Sequence, residues 1–237
     1  MLGYKRQKIE KVDVQLENFS NAPRLADMAY EAIHDAIVSK TLQPGSKLLV
    51  RDLAQRLGIS YTPVKEALVK LAGEGLVQII PRKGAYVALL TISDVVEIYE
   101  LREVLEGLAA AKAATMATED QLAKIAGYLN DGKLCIASGE VKRYSDVDIL
   151  FHSAIAEASR NIRLLEALKK LQSQVRLLMA TSASLSGRPQ RSIQQHEQIY
   201  QAIKRRDSIG ADNAAKCHVK EAREVIVSYL RTQDQMA

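Results

Sequence analysis

The spacing of apolar side chains changes character once along the chain, near residue 90. Before that point, LADMAYEAIHDAIVSK (25–40) repeats apolar residues at helical intervals, and two shorter helical stretches follow, each closed by glycine. The runs VQII (77–80) and AYVAL (85–89) are typical of short strands joined by a Pro-Arg-Lys-Gly loop. After that point no strand pattern occurs, and six amphipathic helices are predicted, over about 93–117, 119–138, 140–159, 161–183, 190–206 and 209–232.

This change divides the chain into three parts. Residues 1–22 form a charged N-terminal tail, residues 23–90 a small unit of helices and a hairpin, and residues 91–232 an all-helical unit. The predicted fold class is therefore mainly α, with an N-terminal winged helix-turn-helix and a C-terminal all-α helical bundle.

Composition adds a modest basic bias and excludes several classes of protein. The 237 residues carry a formal net charge of +5, and residues 23–90 hold nine Lys and Arg against six Asp and Glu. That excess permits an anionic partner without requiring one. The two cysteines, Cys135 and Cys217, have neither disulfide-framework nor thiolate-metal spacing. No signal peptide or membrane-spanning run is found, so a cytoplasmic protein without a membrane partner is expected.

Two short helices joined by Gly58-Ile59-Ser60 have the spacing of a helix-turn-helix. On the second helix, Val64 begins the buried stripe. The opposite face carries Tyr61, Thr62 and Lys65 at the N-terminal end of this helix. A recognition helix inserts that end into the major groove.

Two neighbouring features favour DNA binding. Ser60 could cap the second helix and touch the DNA backbone. Arg82 and Lys83 lie at the hairpin tip, where they would form a wing against phosphates. The spacing alone also fits a generic helical hairpin with a solvated basic face. Since one recognition helix reads one half-site, a pseudo-palindromic operator would require a homodimer.

The stretch PGSKLLVRDLAQRLGISYTPVKEALVKLAGEGLVQIIPRKGAYV resembles the winged helix of GntR-type bacterial transcription regulators. The resemblance covers about residues 23–90 and rests on PG, on LA..LG.S.TPV.EAL..L..EGL and on the basic KG wing. The family usually has Arg where this chain has Tyr61 and Lys65, so the family's usual operator core is not expected here. The resemblance implies that Gly84 permits the turn of the wing, and it implies DNA contacts at Arg51, Ser60, Tyr61, Thr62 and Lys65.

Three of the four histidines fall on apolar faces of predicted helices in the C-terminal unit. His152 shares its stripe with Asp148, four residues earlier, so the two side chains project together. His196 and His218 lie on two later helices. One such histidine is usually a satisfied core residue, but three with a carboxylate form a ligand set for a divalent transition metal. Zinc is the first expectation, with nickel, iron or manganese as alternatives, and an open position could take water or an anion.

Arg102 lies on the core-facing stripe of the first long helix of this unit, where a guanidinium needs a carboxylate partner. That partner could be Glu106 or a group on a neighbouring helix, or it could belong to a ligand. If the partner belongs to a ligand, Arg102 and the metal would hold a small carboxylate between them.

The C-terminal unit resembles the FCD effector domain of FadR-type GntR regulators over about residues 91–232. The matching stretches are YELREVLEGLAAAKAA, DVDILFHSAIAEASRNIRLLEAL, HEQIYQAI and AAKCHVKEA. Six helices rather than seven are closer to the VanR-like subgroup. The resemblance implies effector binding by Arg102 and metal ligation by Asp148, His152, His196 and His218.

Together these features predict a ligand-responsive bacterial transcription regulator, with repression as the commoner outcome in the family. It would bind double-stranded operator DNA as a homodimer and sense a small organic acid through its metal. The alternative is a metal-dependent hydrolase or lyase with a nucleic-acid-binding appendage, because an open metal position can activate water. Against this alternative, HExxH is absent and Glu197 points off the face of its neighbour His196. A purely structural metal is the third possibility.

Overall fold

The computed structural model describes residues 25–182 and 187–236, so the predicted tail over residues 1–22 lies outside the described residues. Within them the chain forms nine helices and three short strands. The helices are α1 (Leu25–Val38), α2 (Val50–Leu57), α3 (Tyr61–Gly73), α4 (Ile92–Met116), α5 (Glu119–Ser138), α6 (Val141–Ala158), α7 (Ile162–Ser182), α8 (Arg188–Lys204) and α9 (Ser208–Met236). The strands are β1 (Lys47–Leu48), β2 (Val77–Ile80) and β3 (Gly84–Val87).

The N-terminal unit is the predicted winged helix-turn-helix, in which α1, α2 and α3 pack against an antiparallel sheet of order β1-β3-β2. Val77 pairs with Val87 and Ile80 with Gly84. Helix α2 ends at Gly58, whose φ of 66° lets its N–H bond back to the last turn. Fully buried apolar side chains such as Ile37 close the core between the helices and the sheet.

Strand β1 has no counterpart in the sequence prediction. Its two residues, Lys47 and Leu48, pair with Tyr86 and Ala85. Two residues are too few to show the alternation of apolar and polar side chains that marks a strand. Strand β1 is therefore defined by its pairing with β3, and the sequence of β1 alone does not reveal that pairing.

The C-terminal unit of the described chain contains six helices, α4 to α9, as predicted. Helices α4 and α5 both begin with capping boxes, formed by Thr91 with Asp94 and by Thr118 with Gln121. These polar starts fix the first helical residue, which is why the predicted starts agree to within one residue. Helix α4 packs along α9 so closely that a Cβ on Gly107 would lie 2.5 Å from Asp212 Oδ1.

Helix α7 belongs to both units. Its Leu177 is buried in the hydrophobic core of the N-terminal unit. One turn earlier, Ser173 Oγ donates a 2.6 Å hydrogen bond to Glu74, at the end of α3. Tyr30 of α1 donates to the same carboxylate at 2.8 Å, and burial together with this carboxylate raises the pKa of Tyr30. The N-terminal unit and α7 are therefore joined by both apolar and polar contacts.

Among the described helices, none combines the length and the apolar character that a membrane span requires.

Candidate metal centre, ligand cavity and DNA-contacting surface

Three imidazoles from three different helices converge inside the C-terminal unit. His152 comes from α6, His196 from α8 and His218 from α9. Their Nε2 atoms face one another, at 3.2 Å between His152 and His196 and at 3.4 Å between His196 and His218. Two nitrogens bound to one zinc ion at ~2.0–2.1 Å would lie roughly 3 to 3.5 Å apart. The spacing of the three rings is therefore that of ligands around a single ion.

The carboxylate of Asp148 stands beside this group. Asp148 lies one turn before His152 on α6 and is only 5% exposed. One of its oxygens is 3.4 Å from His196 Nε2, and the other is 3.8 Å from His152 Nε2. Phe151 stacks on the His196 ring with centroids 4.5 Å apart, which fixes that ring in the core. The four residues predicted as ligands thus lie together, with the three histidines as the tightest group.

The Nδ1 atoms of two histidines contact side chains that the sequence prediction did not assign to the metal site. His152 Nδ1 lies 2.8 Å from Glu106 Oε2, and His218 Nδ1 lies 3.1 Å from Gln195 Oε1. Since a carboxylate and an amide oxygen can only accept, both Nδ1 atoms carry the proton, and in the neutral ring this leaves the lone pair on Nε2. Such outer contacts orient metal-binding histidines in proteins.

Charge and burial set the protonation of the cluster. Burial, together with the neighbouring positive charges, lowers the pKa of His196 and of His218 well below the usual value, so both rings are neutral. Burial would also lower the pKa of His152, but the carboxylate of Glu106 more than offsets it and the pKa is raised. Burial raises the pKa of Asp148, against the opposing effect of His152. Neutral imidazole is the form that binds a metal.

Buried polar atoms without partners surround the cluster. In the described part of the chain, the buried side-chain polar atoms with no aligned hydrogen bond include Tyr144 Oη and Gln195 Nε2. Tyr144 lies close enough to Asp148 that the carboxylate adds to the effect of burial in raising its pKa. Buried polar atoms without partners point to a missing polar group. The donor set, neutral imidazoles beside a carboxylate, fits a divalent transition metal.

Arg102 has the protein partner that the sequence left open. Its Nε donates to Glu106 Oε1 at 2.7 Å, and the two residues are 4% and 7% exposed. The guanidinium also lies over the ring of Tyr99, 4.7 Å from its centroid. Burial alone would raise the pKa of Glu106, but Arg102 and then His152 lower it to about 2. Glu106 is therefore a carboxylate that serves an arginine and a histidine at once.

A cavity that is partly open to solvent adjoins the cluster, and its empty space, including solvent at the mouth, is about 510 Å³. One end is lined by the polar groups of Arg102, Glu106, Asp148 and His152, and the walls come from α6 and α7. Arg102 is thus both an ion-pair partner and part of the cavity wall, so a ligand in the cavity would meet its guanidinium.

Sequence reasoning missed Gln195 and Arg188 as residues of the site, and it named Glu106 only as a possible partner of Arg102. Arg188, at the start of α8, donates to Gln195 Oε1 at 3.1 Å. Glu106 could be found as a partner of Arg102, because the two lie one helical turn apart, but not as a partner of His152. Gln195 neighbours His196 along α8 yet contacts His218 of α9, and such a contact between helices leaves no periodic trace in the sequence.

The predicted DNA-contacting residues are all exposed in the N-terminal unit. Val64 is fully buried at the start of α3, and Tyr61 beside it is 54% exposed. Ser60 occupies the N-cap position of α3, but its side chain makes no capping hydrogen bond, so the predicted cap is wrong. Its hydroxyl is left for other partners. The remaining exposed positions are Thr62 and Lys65 on α3, Arg51 on α2, and Arg82, Lys83 and Gly84 in the wing.

The wing turns through positive backbone angles. Arg82 has a φ of 64° and Gly84 a φ of 111°. The second angle is one that side-chain-bearing residues rarely adopt, so glycine is required there. The turn leaves Lys83 exposed at the tip.

Two family models match the chain. The model described as "Bacterial regulatory proteins, gntR family" matches residues 25–87, and the model described as "FCD domain" matches residues 97–221. The first coincides with the winged unit, and the second contains the histidine cluster.

Curated proteins similar to the chain are transcription regulators. The HTH-type transcriptional repressor RspR of Escherichia coli (strain K12) is 26% identical over 197 residues, covering 83% of this chain and 86% of that protein. The HTH-type transcriptional regulator LutR of Bacillus subtilis (strain 168) is 30% identical over 219 residues, covering 82% and 97%.

Solved structures share the whole fold. Escherichia coli McbR/YncC aligns with a TM-score of 0.72 at 23% identity, covering 90% of this chain and 99% of that one. A GntR regulator from Rhodococcus sp. RHA1 aligns with a TM-score of 0.71 at 23% identity, covering 86% and 97%.

Proposed function

Because the FCD model spans more than half of its length, the chain belongs to the GntR family of bacterial regulatory proteins with an FCD domain, and we propose that it is a metal-dependent, acid-responsive repressor. The family makes it a DNA-binding transcription regulator and not an enzyme, which sets aside the hydrolase or lyase alternative. What the proposal adds is the homodimer, the direction of regulation and the metal-dependent sensing of a small organic acid. A protein that binds operator DNA would act in the cytoplasm.

The main support for metal-dependent sensing is that the Nε2 atoms of His152, His196 and His218 converge beside a cavity. The metal would be held by Asp148, His152, His196 and His218, with zinc first and nickel, iron or manganese as alternatives. When bound, the ion would supply a Lewis-acidic position for a carboxylate oxygen. A purely structural metal would need no cavity against its ligands, and this cluster has one.

The chain's own residues would hold the rest of the acid. Arg102 would contribute its guanidinium, already fixed by Glu106 and Tyr99, at the polar end of the cavity. Because that guanidinium is ordered before the ligand arrives, little side-chain entropy is lost on binding.

Helix α7 offers a route from the cavity to the DNA. Leu168 and Val175 of α7 line the cavity, while Ser173 and Leu177 of the same helix contact the N-terminal unit. A ligand that binds more tightly to one position of α7 would favour the corresponding position of the winged unit. Such a difference in affinity is what regulation requires.

The DNA-binding half rests on Tyr61 and Lys65 at the exposed end of α3 and on the basic wing. Two copies would be needed to read a pseudo-palindromic operator. Repression is supported by the name of the relative RspR, which is called a repressor.

The test combines metal analysis with DNA binding. Purified full-length chain should contain about one equivalent of a transition metal per subunit, and His196→Ala should lose it, whereas His34→Ala in α1 should keep it. Fluorescence anisotropy with DNA from upstream of the protein's own gene should show salt-dependent binding by both variants. Only His34→Ala should respond to a carboxylate. Full metal content or an undiminished acid response in His196→Ala would remove the cluster from sensing.

A further inference from the structure

The cavity beside the histidine cluster is lined by a group of charged side chains and by a larger group of mainly apolar ones. The charged group is Arg102, Glu106, Asp148 and His152. The apolar side chains of the walls are Ile149, Ala156, Leu165, Leu168, Leu171 and Val175. We propose that the ligand is a monocarboxylate with a hydrocarbon or aromatic body, and not a hydroxylated sugar acid or a dicarboxylate. This inference rests on the proposed function, because it takes the cavity as the sensing site.

The charges at the polar end match a single carboxylate. Arg102 is already neutralised by Glu106, to which it donates at 2.7 Å. A divalent ion beside ionised Asp148 would leave one uncompensated positive charge. One carboxylate cancels that charge. The second carboxylate of a diacid would find no counter-charge among the apolar wall residues, because the one further cation of the lining, Lys169, is exposed to water. Burying an unpaired carboxylate in such surroundings is strongly unfavourable.

The apolar walls discriminate against hydroxyl groups in the same way. Leu165 and Leu168 of α7 and Ile149 of α6 line the cavity, and their side chains offer no hydrogen-bonding atom. A hydroxyl placed among them would lose its water partners and gain none. The polar side chains that also line the cavity, Ser153, Lys169 and Gln172, lie on the same two helices, and Lys169 is exposed to water. The body of the ligand would therefore gain from each methylene that it buries.

The experiment is a ligand series measured by calorimetry on the zinc-loaded full chain. Across acetate, butanoate and hexanoate, affinity should rise by up to about fourfold per added methylene, as expected for full burial. Gluconate, which has the carbon number of hexanoate but carries hydroxyls, and adipate, which carries a second carboxylate, should both bind more weakly than hexanoate. In metal-free protein all affinities should fall, while the dependence on chain length persists because the walls are unchanged.

A matched pair of variants on α7 tests the walls directly. Leu168→Asn should flatten the dependence on chain length and leave acetate binding within about twofold of the parent. Ile162→Asn makes the same change on the same helix at a side chain that is 68% exposed and should leave the whole series unchanged. If Leu168→Asn does not fold, Leu168→Met takes its place and should retain the chain-length dependence.

The possible failures are distinguishable. Tighter binding of gluconate or adipate than of hexanoate, or a chain-length dependence that survives Leu168→Asn, would overturn the inferred ligand class and leave acid sensing intact. Failure of every acid to bind, in protein with its metal in place, would overturn the sensing function as well.

Discussion

Replacing Glu106 by glutamine is the sharpest test of the site, because one carboxylate contacts both Arg102 and His152. Glu106→Gln keeps the shape but removes the charge that pairs with Arg102 at 2.7 Å. The arginine is 4% exposed, so it would become a buried charge without a counter-ion. Removing one member of a buried ion pair costs about 3–5 kcal/mol. The amide oxygen can still accept from one of the two donors, so we expect a loss near 3 kcal/mol in the free energy of unfolding.

The same substitution should weaken metal binding. Glutamine cannot satisfy both Arg102 and His152, so the ring that now lies 2.8 Å from the carboxylate loses its fixed orientation. Loss of such an outer contact typically lowers metal affinity ~10–100-fold. Urea unfolding of metal-free protein would measure the first effect, and competition with a chelator for zinc would measure the second. Glu103→Gln, which removes the same charge from the same helix, is the control.

The pH dependence supplies an independent check. The pKa of Glu106 is lowered from 4.5 to about 2, so its stabilising contribution is fully present above pH 4.5 and is lost as the pH falls towards 2. The stability difference between the parent and Glu106→Gln should therefore narrow over that range. If Glu106→Gln behaves like Glu103→Gln in both unfolding and zinc competition, Glu106 neither neutralises Arg102 nor orients His152.

Three further outcomes are expected. Lys65→Ala should weaken binding to the upstream DNA by roughly 1–3 kcal/mol with an unchanged melting temperature, and unaltered anisotropy titrations would remove Lys65 from the interface. Gln195→Ala should lower zinc affinity by about tenfold through His218, whereas the exposed Gln194→Ala should not; equal chelator competition curves for the two would contradict the orienting role of Gln195. Ser173→Ala should reduce the change in DNA affinity caused by an acid while calorimetry shows the acid still binding; an intact response would mean that the contact with Glu74 transmits nothing.

The fold was largely predictable because its elements carry local markers. Helix α5 has the predicted bounds, since Thr118 caps its start and Gly139 ends it in a left-handed conformation. Helix α9 continues past the predicted residue 232 to Met236, because residues 232–236 contain neither the glycine nor the proline that would end it. Strand β1 was missed because it is defined only by its partner.

The site was predictable in its residue types but not in its connections. Helical periodicity placed His152, His196 and His218 on buried faces, yet it could not give the distances between helices. The sequence left open whether Arg102 pairs with the protein or with a ligand, and only the structure identifies Glu106 as its partner. The contact between Gln195 and His218 joins two helices, and no local pattern encodes it.

The dual membership of α7 limits how this protein can be recombined with its relatives. A hybrid joined at residue 90 would combine this C-terminal unit with the winged unit of a relative. Leu177, which fits the core of the original winged unit, would then have to pack into a core built around a different side chain. The exchangeable module is therefore discontinuous in sequence: it consists of the first ninety residues and the face of α7 that carries Ser173 and Leu177. Grafting that face together with residues 25–90 should yield hybrids in which the core of the winged unit is complete.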